Sequence, residues 1–162
     1  MEIIYIILIL SILLVMAVFC YFLIPKEKKK KYDFLNYNIV DIPYVSLDIQ
    51  GHNLNMIVDT GCGSSILHKS SVEEFGIKYT ETNKKTTLSA LTHETIETPN
   101  IFVDYNLLDE RVRDEFILYD AKEFGNFNTL YGIQLHGLLG NDFFNAHKCS
   151  VDFENHTLNV KK

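Results

Sequence analysis

Cysteine is scarce in this chain of 162 residues, and its three cysteines form no pattern that binds metal or builds a disulfide framework. Cys20 falls within a long apolar run, which leaves Cys62 and Cys149 for the remainder of the chain. Neither C-x-x-C nor H-E-x-x-H spacing occurs among the cysteines and histidines. We therefore expect no metal and no cofactor, and we expect the two remaining cysteines to be reduced thiols.

Basic side chains are also few once the first 31 residues are set aside. Five of the 15 Lys and Arg and two of the 21 Asp and Glu lie in that first part, so residues 32–162 carry 10 basic and 19 acidic side chains, a formal charge of −9. Such a surface lacks the clustered cations that attract phosphate groups. Nucleic acid is therefore excluded as an expected partner.

Residues 3–24 contain no charged side chain at all. As a helix this segment would be about 33 Å long, which is enough to cross the hydrocarbon core of a bilayer. A cleaved signal peptide is the alternative. Signal peptides usually begin with a positively charged residue, whereas this chain has Glu2. They also end in small residues at the cleavage site, whereas large apolar residues precede Pro25 here. We therefore predict a transmembrane anchor over residues 1–25, with residues 3–24 spanning the lipid bilayer.

Lysines stand at position 26 and at positions 28–31, directly after the predicted span. Positively charged flanks stay on the cytoplasmic side, so we expect a single-pass membrane protein whose remaining chain faces the cytoplasm. The composition divides that remainder into a basic stem and linker over residues 26–41 and a folded domain over residues 42–162.

The domain reads as mostly β, because short β-branched and aromatic segments alternate with turn residues. Strands are predicted over residues 44–49, 54–58, 86–91, 95–98, 101–105, 115–119, 138–139, 149–153 and 157–160. Short helices are predicted after a capping-box pattern at Ser70, with Gly76 as the stop, and over residues 141–147.

The densest chemical signal lies in residues 57–67, where an apolar strand leads to Asp59 and a glycine turn and small hydroxyl residues follow. A single carboxylate cannot accept one proton and donate another in the same step, whereas two carboxylates that share a proton can. A two-fold symmetric homodimer would supply the second Asp59 without a second motif.

These residues resemble the retropepsin-like aspartic proteases. Asp59-Thr60-Gly61, after two apolar residues, is similar to the active-site triplet of that family. Leu138-Leu139-Gly140, followed by residues 141–144 (NDFF), is similar to the apolar strand and short helix that close the family's single lobe. The order of elements over residues 42–162 also resembles the family's order, which implies a closed β-barrel with one or two short helices.

The resemblance implies an aspartic endopeptidase that acts as a homodimer on a polypeptide substrate. Asp59 of each subunit would activate the water that attacks the peptide carbonyl. Thr60 would form a hydrogen bond across the dimer, Gly61 would offer its backbone to the substrate, and Ser64 would support the site. The hairpin tip at Leu91, Thr92 and His93 would be the flap that covers the substrate.

Two departures from the family pattern keep a second hypothesis open. Gly63 stands where members of the family usually carry a polar residue, and no glycine occurs between Gly76 and Gly125, so the flap lacks a glycine tip. The alternative is a non-catalytic module with the same fold, tethered to the membrane and used for dimerisation or peptide binding.

Overall fold

The structure is a computed structural model that describes residues 14, 16, 30–35, 41–89, 95–120 and 122–161. Of the predicted span 3–24, only Leu14 and Met16 are among them, and both are helical. Within the described ranges, no helix has the length and apolar character needed to cross a membrane. The anchor therefore stays a prediction that lies largely outside the described residues.

From residue 30 onward, the described residues form ten strands and three short helices. In chain order they are β1 (Lys30–Asp33), β2 (Tyr44–Ile49), β3 (His52–Val58), β4 (Ile66–His68), α1 (Lys69–Glu74), β5 (Tyr79–Ser89), β6 (Thr95–Leu107), β7 (Glu110–Tyr119), α2 (Lys122–Tyr131), β8 (Gly137–Leu139), α3 (Asn141–Ala146), β9 (Ser150–Asp152) and β10 (Thr157–Val160). The predicted mostly-β class is confirmed.

Six strands close into a barrel in the order β2, β3, β8, β4, β7 and β6. The ring is completed where Asp48 of β2 pairs with Asn106 of β6. Closure leaves no free edge in the ring, and β5 continues the sheet outward from β6. The structure thus confirms the predicted closed β-barrel.

Buried and exposed side chains alternate along the strands, and the buried ones fill the barrel. In β6, the side chains of Ile101, Val103 and Tyr105 are buried, whereas the intervening Phe102 is exposed. Successive side chains of a strand point to opposite faces, so this pattern gives the sheet one apolar side. The same core takes in residues of β2, β3, β7, β8 and α3.

A second, smaller sheet joins the two ends of the described chain. Strand β1 pairs antiparallel with β10, which also pairs with β9. Phe34, directly after β1, is buried in the main core. Lys30–Asp33, inside the predicted stem and linker 26–41, is therefore part of a sheet, because its backbone pairs with β10.

The helices differ from the predictions at two points. Helix α1 begins at Lys69 with His68 as its N-cap, and the Ser70 hydroxyl donates to Asp120 (3.1 Å) instead of capping the helix. Gly76, with φ of +61°, follows the helix end as predicted. Helix α2 was not predicted, whereas α3 occupies the predicted position.

Candidate active site

Asp59 stands at the end of a parallel strand pair. Val58, the last residue of β3, pairs with Leu139 of β8, and the Asp59 amide donates to the Leu139 carbonyl (3.0 Å). The Val58 amide donates to the carbonyl of Pro43 (2.8 Å). These backbone bonds hold Asp59 from both sides, and its side chain is half-buried at the barrel end.

The turn after Asp59 fixes its carboxylate. The Gly61 amide donates to Oδ1 of Asp59 (2.8 Å), and the Cys62 amide donates to the Asp59 carbonyl (3.2 Å). A Cβ atom at position 61 would lie 3.1 Å from Oδ1 of Asp59. Glycine at this position therefore lets the backbone approach the carboxylate without crowding it.

Residues 59–65, which we call the active-site loop, are tied down by the first turn of α3. The Asn141 amide donates to the Cys62 carbonyl (2.8 Å), and Nδ2 of Asn141 donates to the Thr60 carbonyl (3.0 Å). The Asp142 amide donates to the Gly63 carbonyl (3.3 Å). The helix thus satisfies three backbone carbonyl groups of the active-site loop.

A buried hydroxyl completes this attachment. The Ser65 hydroxyl donates to Oδ1 of Asp142 (2.6 Å) and accepts from the amide of Gly140 (3.0 Å), while the Ser65 amide donates to Oδ2 of Asp142 (2.9 Å). Asp142 is an acidic residue in the first turn of α3. It does accept from the Phe143 amide (2.7 Å) in that role, but it also binds the active-site loop.

Close packing explains the glycine of the Leu-Leu-Gly motif. A Cβ atom on Gly140 would lie 2.6 Å from the carbonyl carbon of Ser64 and 3.0 Å from the Cys62 carbonyl oxygen. At Gly63, by contrast, a Cβ atom would have nothing within 4 Å. The loop and the helix therefore meet backbone to backbone at Gly140, whereas Gly63 faces open space.

The structure brings four of the predicted site residues together in the active-site loop: Asp59, Thr60, Gly61 and Ser64. Thr60 and Gly61 are exposed on the single chain. The hydroxyl that ties the loop to α3 belongs to Ser65, the neighbour of the predicted Ser64. The Ser64 carbonyl accepts from Sγ of Cys62 (3.1 Å).

The predicted flap residues Leu91, Thr92 and His93 lie outside the described residues. The arms of their hairpin are described, since β5 and β6 pair antiparallel up to Ser89 opposite Thr95. The predicted hairpin is therefore confirmed in its arms, and the role of its tip stays a prediction.

A partly buried polar cluster holds the other end of α3. Asp114 of β7 accepts from the Tyr105 hydroxyl (2.6 Å) and lies 2.7 Å from Nε2 of His147, the C-cap residue of α3. Burial alone would raise the pKa of Asp114, but the hydrogen bonds from His147 and Tyr105 outweigh it and lower the pKa.

Burial, followed by the nearby Asp114 charge, raises the pKa of Cys149 to about 12.

A metal centre was not expected from the sequence. Across the part of the chain that the structure describes, no three His, Cys, Asp or Glu side chains form a group able to hold a metal ion.

A closed six-stranded barrel whose Asp-Thr-Gly loop is fixed by a short helix defines a retropepsin-like fold. A family model described as aspartyl protease matches residues 45–143, which is more than half of the chain. The chain therefore belongs to the aspartyl protease family. The matched region contains the active-site loop, Gly140 and the Asp142 attachment.

Solved structures share this fold. The chain is similar to the EIAV protease complexed with the inhibitor HBY-793, at 16% identity over 74% of this chain and 100% of that one, with a TM-score of 0.52. It is also similar to the retroviral protease-like domain of Ddi1 from Leishmania major, at 18% identity over 72% and 86% of the two chains, with a TM-score of 0.51. At such identities the likeness shows the fold.

A retropepsin-like aspartic protease from Rickettsia conorii has 16% identity over 84% of this chain and 92% of that one, with a TM-score of 0.49. Among curated proteins, none matches the chain.

Proposed function

We propose that the protein is a membrane-anchored aspartic endopeptidase in which two Asp59 carboxylates, one from each subunit of a homodimer, activate the hydrolytic water. The observation that carries this proposal is the Asp59 carboxylate itself. It is half-buried at the barrel end and accepts from the Gly61 amide (2.8 Å), within the region matched by the aspartyl protease family.

In the proposed reaction, one Asp59 carboxylate takes a proton from water while the protonated partner donates to the oxygen of the peptide carbonyl. The water oxygen forms a bond to the carbonyl carbon, which gives a tetrahedral intermediate. The carboxylic acid that now carries the proton from water donates it to the peptide nitrogen, while the other carboxylate takes a proton from one hydroxyl of the intermediate. The carbon–nitrogen bond breaks, and the two carboxylates are left sharing one proton again. Two like charges held close together favour that shared state.

The homodimer is proposed because each chain contains one Asp-Thr-Gly triplet. Thr60, next to Asp59, is exposed on the single chain, so it is available for a hydrogen bond to the partner subunit. Its carbonyl is fixed by Asn141, which limits how far the loop has to move when two chains meet. Gly61 would offer its backbone to the substrate, Ser64 would support the site, and the tip at residues 91–93 would cover the bound peptide.

The proposed cellular location follows from the apolar residues 3–24 and the lysines after them. The anchor would place a single span in the bilayer, with the protease domain on the cytoplasmic side. Resistance to alkaline extraction from membranes would support the span, whereas release into the supernatant would contradict it. A glycosylation acceptor added at either end of the span would report its orientation.

The activity is tested with the full-length chain in lipid vesicles, using unfolded casein from about pH 4 to about pH 7.5. Asp59→Asn should lower cleavage about 100-fold or more, because the amide cannot exchange the proton. Asp33→Asn, which changes an exposed carboxylate of β1, is the matched control and should keep full activity. Pepstatin should inhibit the wild type. Equal cleavage by wild type and Asp59→Asn would refute the proposal.

Gly63 favours the second candidate, a non-catalytic peptide-binding module. A Cβ atom at this position would have nothing within 4 Å, so open space stands where a polar side chain is usual in the resembling family. A binding module would capture unfolded peptide equally well as wild type and as Asp59→Asn, and neither form would cleave it. Those two results together would contradict the protease proposal and support the peptide-binding module.

A further inference from the structure

The outer face of strands β6 and β7 presents an aromatic ring and two basic side chains to solvent. Phe102 and Asp104 alternate along β6 with the buried Val103, so they point away from the core. Arg111 and Arg113 stand on the same face of β7, because Asp104 lies directly opposite Arg113 in the strand register. Phe102 is 38% exposed, although its large apolar ring would be stabilised by burial.

Two adjoining cavities form a groove on this face. The first has a volume of about 310 Å³ and is lined by Lys78, Tyr79 and Phe102, among others. The second has a volume of about 300 Å³ and shares Gln50 and Arg111 with the first. We call the surface formed by Lys78, Tyr79, Phe102, Asp104, Arg111 and the adjacent Arg113 the outer groove.

Gln50 forms a fixed wall of the outer groove. Its Nε2 donates to the carbonyls of Lys78 (2.8 Å) and Asp104 (3.3 Å), and its Oε1 accepts from the Lys78 amide (2.9 Å). These bonds tie the β2–β3 turn to the start of β5 and to β6. The shape of the groove therefore rests on bonds to the backbone and exists before any partner arrives.

The basic side chains of the outer groove are available to a partner. The Arg111 side chain is 79% exposed and lies 3.6 Å from Asp104, an exposed ion pair that contributes little to stability. Among the residues that the structure describes, no carboxylate lies within ion-pair distance of Arg113 or Lys78. The Arg113 guanidinium lies instead 5.2 Å from the centre of the Phe102 ring.

Charge distinguishes the outer groove from the rest of the domain. Residues 32–162 carry 10 basic and 19 acidic side chains, a formal charge of −9. The chain has two arginines, and both stand in the groove, where three basic side chains and one acidic side chain give a formal charge of +2. Glu115, opposite Phe102, is paired with Lys84 (3.2 Å). An acidic partner is therefore attracted to the groove and repelled by the domain as a whole.

From these observations we infer that the outer groove binds an extended, acidic polypeptide segment. Arg111 and Arg113 are two residues apart on one face of a strand, which is about 7 Å. Carboxylates two residues apart in an extended peptide have the same spacing, and an apolar side chain on the same face of the peptide would pack against Phe102 and Tyr79. The fixed wall and the carboxylate of Asp104 favour a peptide over an anionic bilayer surface. The inference does not rest on the proposed function, because no residue of the groove belongs to the active-site loop.

The binding is tested with the full-length chain in phosphatidylcholine vesicles and a fluorescein-labelled peptide, GSLSESESG, whose leucine and two glutamates share one face when extended. Fluorescence anisotropy measures its affinity. GSLSQSQSG should bind at least about 5-fold more weakly, because it forms no ion pairs. GSLSEESSG keeps the charge but places its glutamates on opposite faces, so it should also bind more weakly. Equal affinities of the three peptides would overturn the inference.

A charge-matched pair of variants tests the arginines. Arg111→Gln combined with Arg113→Gln should weaken binding of GSLSESESG at least about 5-fold and remove most of its loss between about 0.05 and 0.5 M NaCl. Lys69→Gln combined with Lys148→Gln makes the same change in net charge at two exposed positions outside the groove and should keep the wild-type affinity. An equal loss in both double variants would contradict a specific groove.

Two other occupants give different results in the same system. Slower amide hydrogen exchange over residues 102–113 in phosphatidylserine-containing than in phosphatidylcholine vesicles, without peptide binding in either, would assign the groove to lipid. Loss of crosslinking between subunits in the double arginine variant, again without peptide binding, would assign it to a second copy of the chain. Either result overturns the inference. Equal peptide binding by wild type and Asp59→Asn, whether or not casein is cleaved, would support the inference independently of the proposed function.

Discussion

The hydroxyl of Ser65 lies 2.6 Å from a carboxylate oxygen of Asp142, although 77 positions separate the two residues in the chain. Ser65 ends the active-site loop, and Asp142 belongs to the first turn of α3. The position of the Asp59 loop therefore depends on a helix from the far end of the domain. Substitutions in this attachment can test the site without touching Asp59.

Replacing Ser65 should destabilise the domain far more than replacing Ser64. Ser65 is 2% exposed, and Ser65→Ala would leave the Gly140 amide without its partner and remove one of the two donors to Oδ1 of Asp142. We expect the free energy of unfolding to fall by about 1–3 kcal/mol. Ser64→Ala, one position earlier and half-buried, is the matched control and should change it by about 0.5 kcal/mol or less. Urea denaturation measures both, and equal losses would argue against the attachment.

Gly140 should tolerate no side chain. Gly140→Ala places a Cβ atom 2.6 Å from the Ser64 backbone, so either the loop or α3 has to shift. Overpacking of this kind costs about 1–3 kcal/mol, and displacement of the loop should also lower proteolysis. Gly63→Ala is the control, because its Cβ atom enters open space. Thermal unfolding and casein cleavage report the two effects, and a neutral Gly140→Ala would show that the loop adapts.

His136 should make the domain less stable in acid. Its side chain is buried, and its Nδ1 accepts from the Asn55 amide (2.8 Å). Burial lowers the pKa of His136 from its usual 6.5, with the nearby His68 acting in the same direction and Glu74 opposing it. The unfolded chain therefore binds a proton at this position at a higher pH than the folded chain does.

The sign of the effect follows from this difference in proton binding. Above about pH 6.5 the stability is complete, and it falls as the pH decreases toward the lowered pKa of His136. His136→Asn, whose side-chain oxygen can accept the Asn55 amide, should show a smaller loss of stability between about pH 6.5 and pH 5. Urea midpoints measured across that range test this, and parallel curves for the two proteins would refute it.

Cys149 should resist alkylation in the folded protein. Burial and the neighbouring Asp114 raise the pKa of its thiol to about 12, so at about pH 8 roughly one thiol in ten thousand is ionised. Iodoacetamide labelling followed by peptide mapping should show Cys149 reacting at least about 100-fold more slowly in the folded than in the urea-unfolded chain. Labelling at the same rate in both states would contradict the environment described for this residue.

Local patterns in the sequence predicted much of the barrel and the position of Asp59. The hairpin arms at Ser89 and Thr95, the β8 strand and the closing β9–β10 hairpin all follow from alternation and turn residues close together in the chain. The Asp-Thr-Gly triplet predicted the active-site loop, because an acid at the end of a strand with a glycine two residues later is a pattern that lies within a few residues of the sequence.

Contacts between distant segments were not predictable in this way. Strand β1 was interpreted as part of a lysine-rich stem because its β-structure depends on pairing with β10 at the other end of the chain. Helix α2 contains Gly125 and few strong helix formers, and it is positioned by packing of Phe124 in a small cluster with Tyr44 and Leu135. Ser65 was overlooked beside Ser64 because the partner that distinguishes them is Asp142.

Pairing of β1 with β10 also bears on how the domain forms during synthesis. Strand β1 leaves the ribosome before α3 and β10, although β10 is its partner in the sheet and α3 fixes the active-site loop. A nascent chain that has not yet exposed α3 therefore lacks the segment that holds the Asp59 loop in place. A chain that stops before α3 would carry the Asp-Thr-Gly triplet in a loop without its attachment.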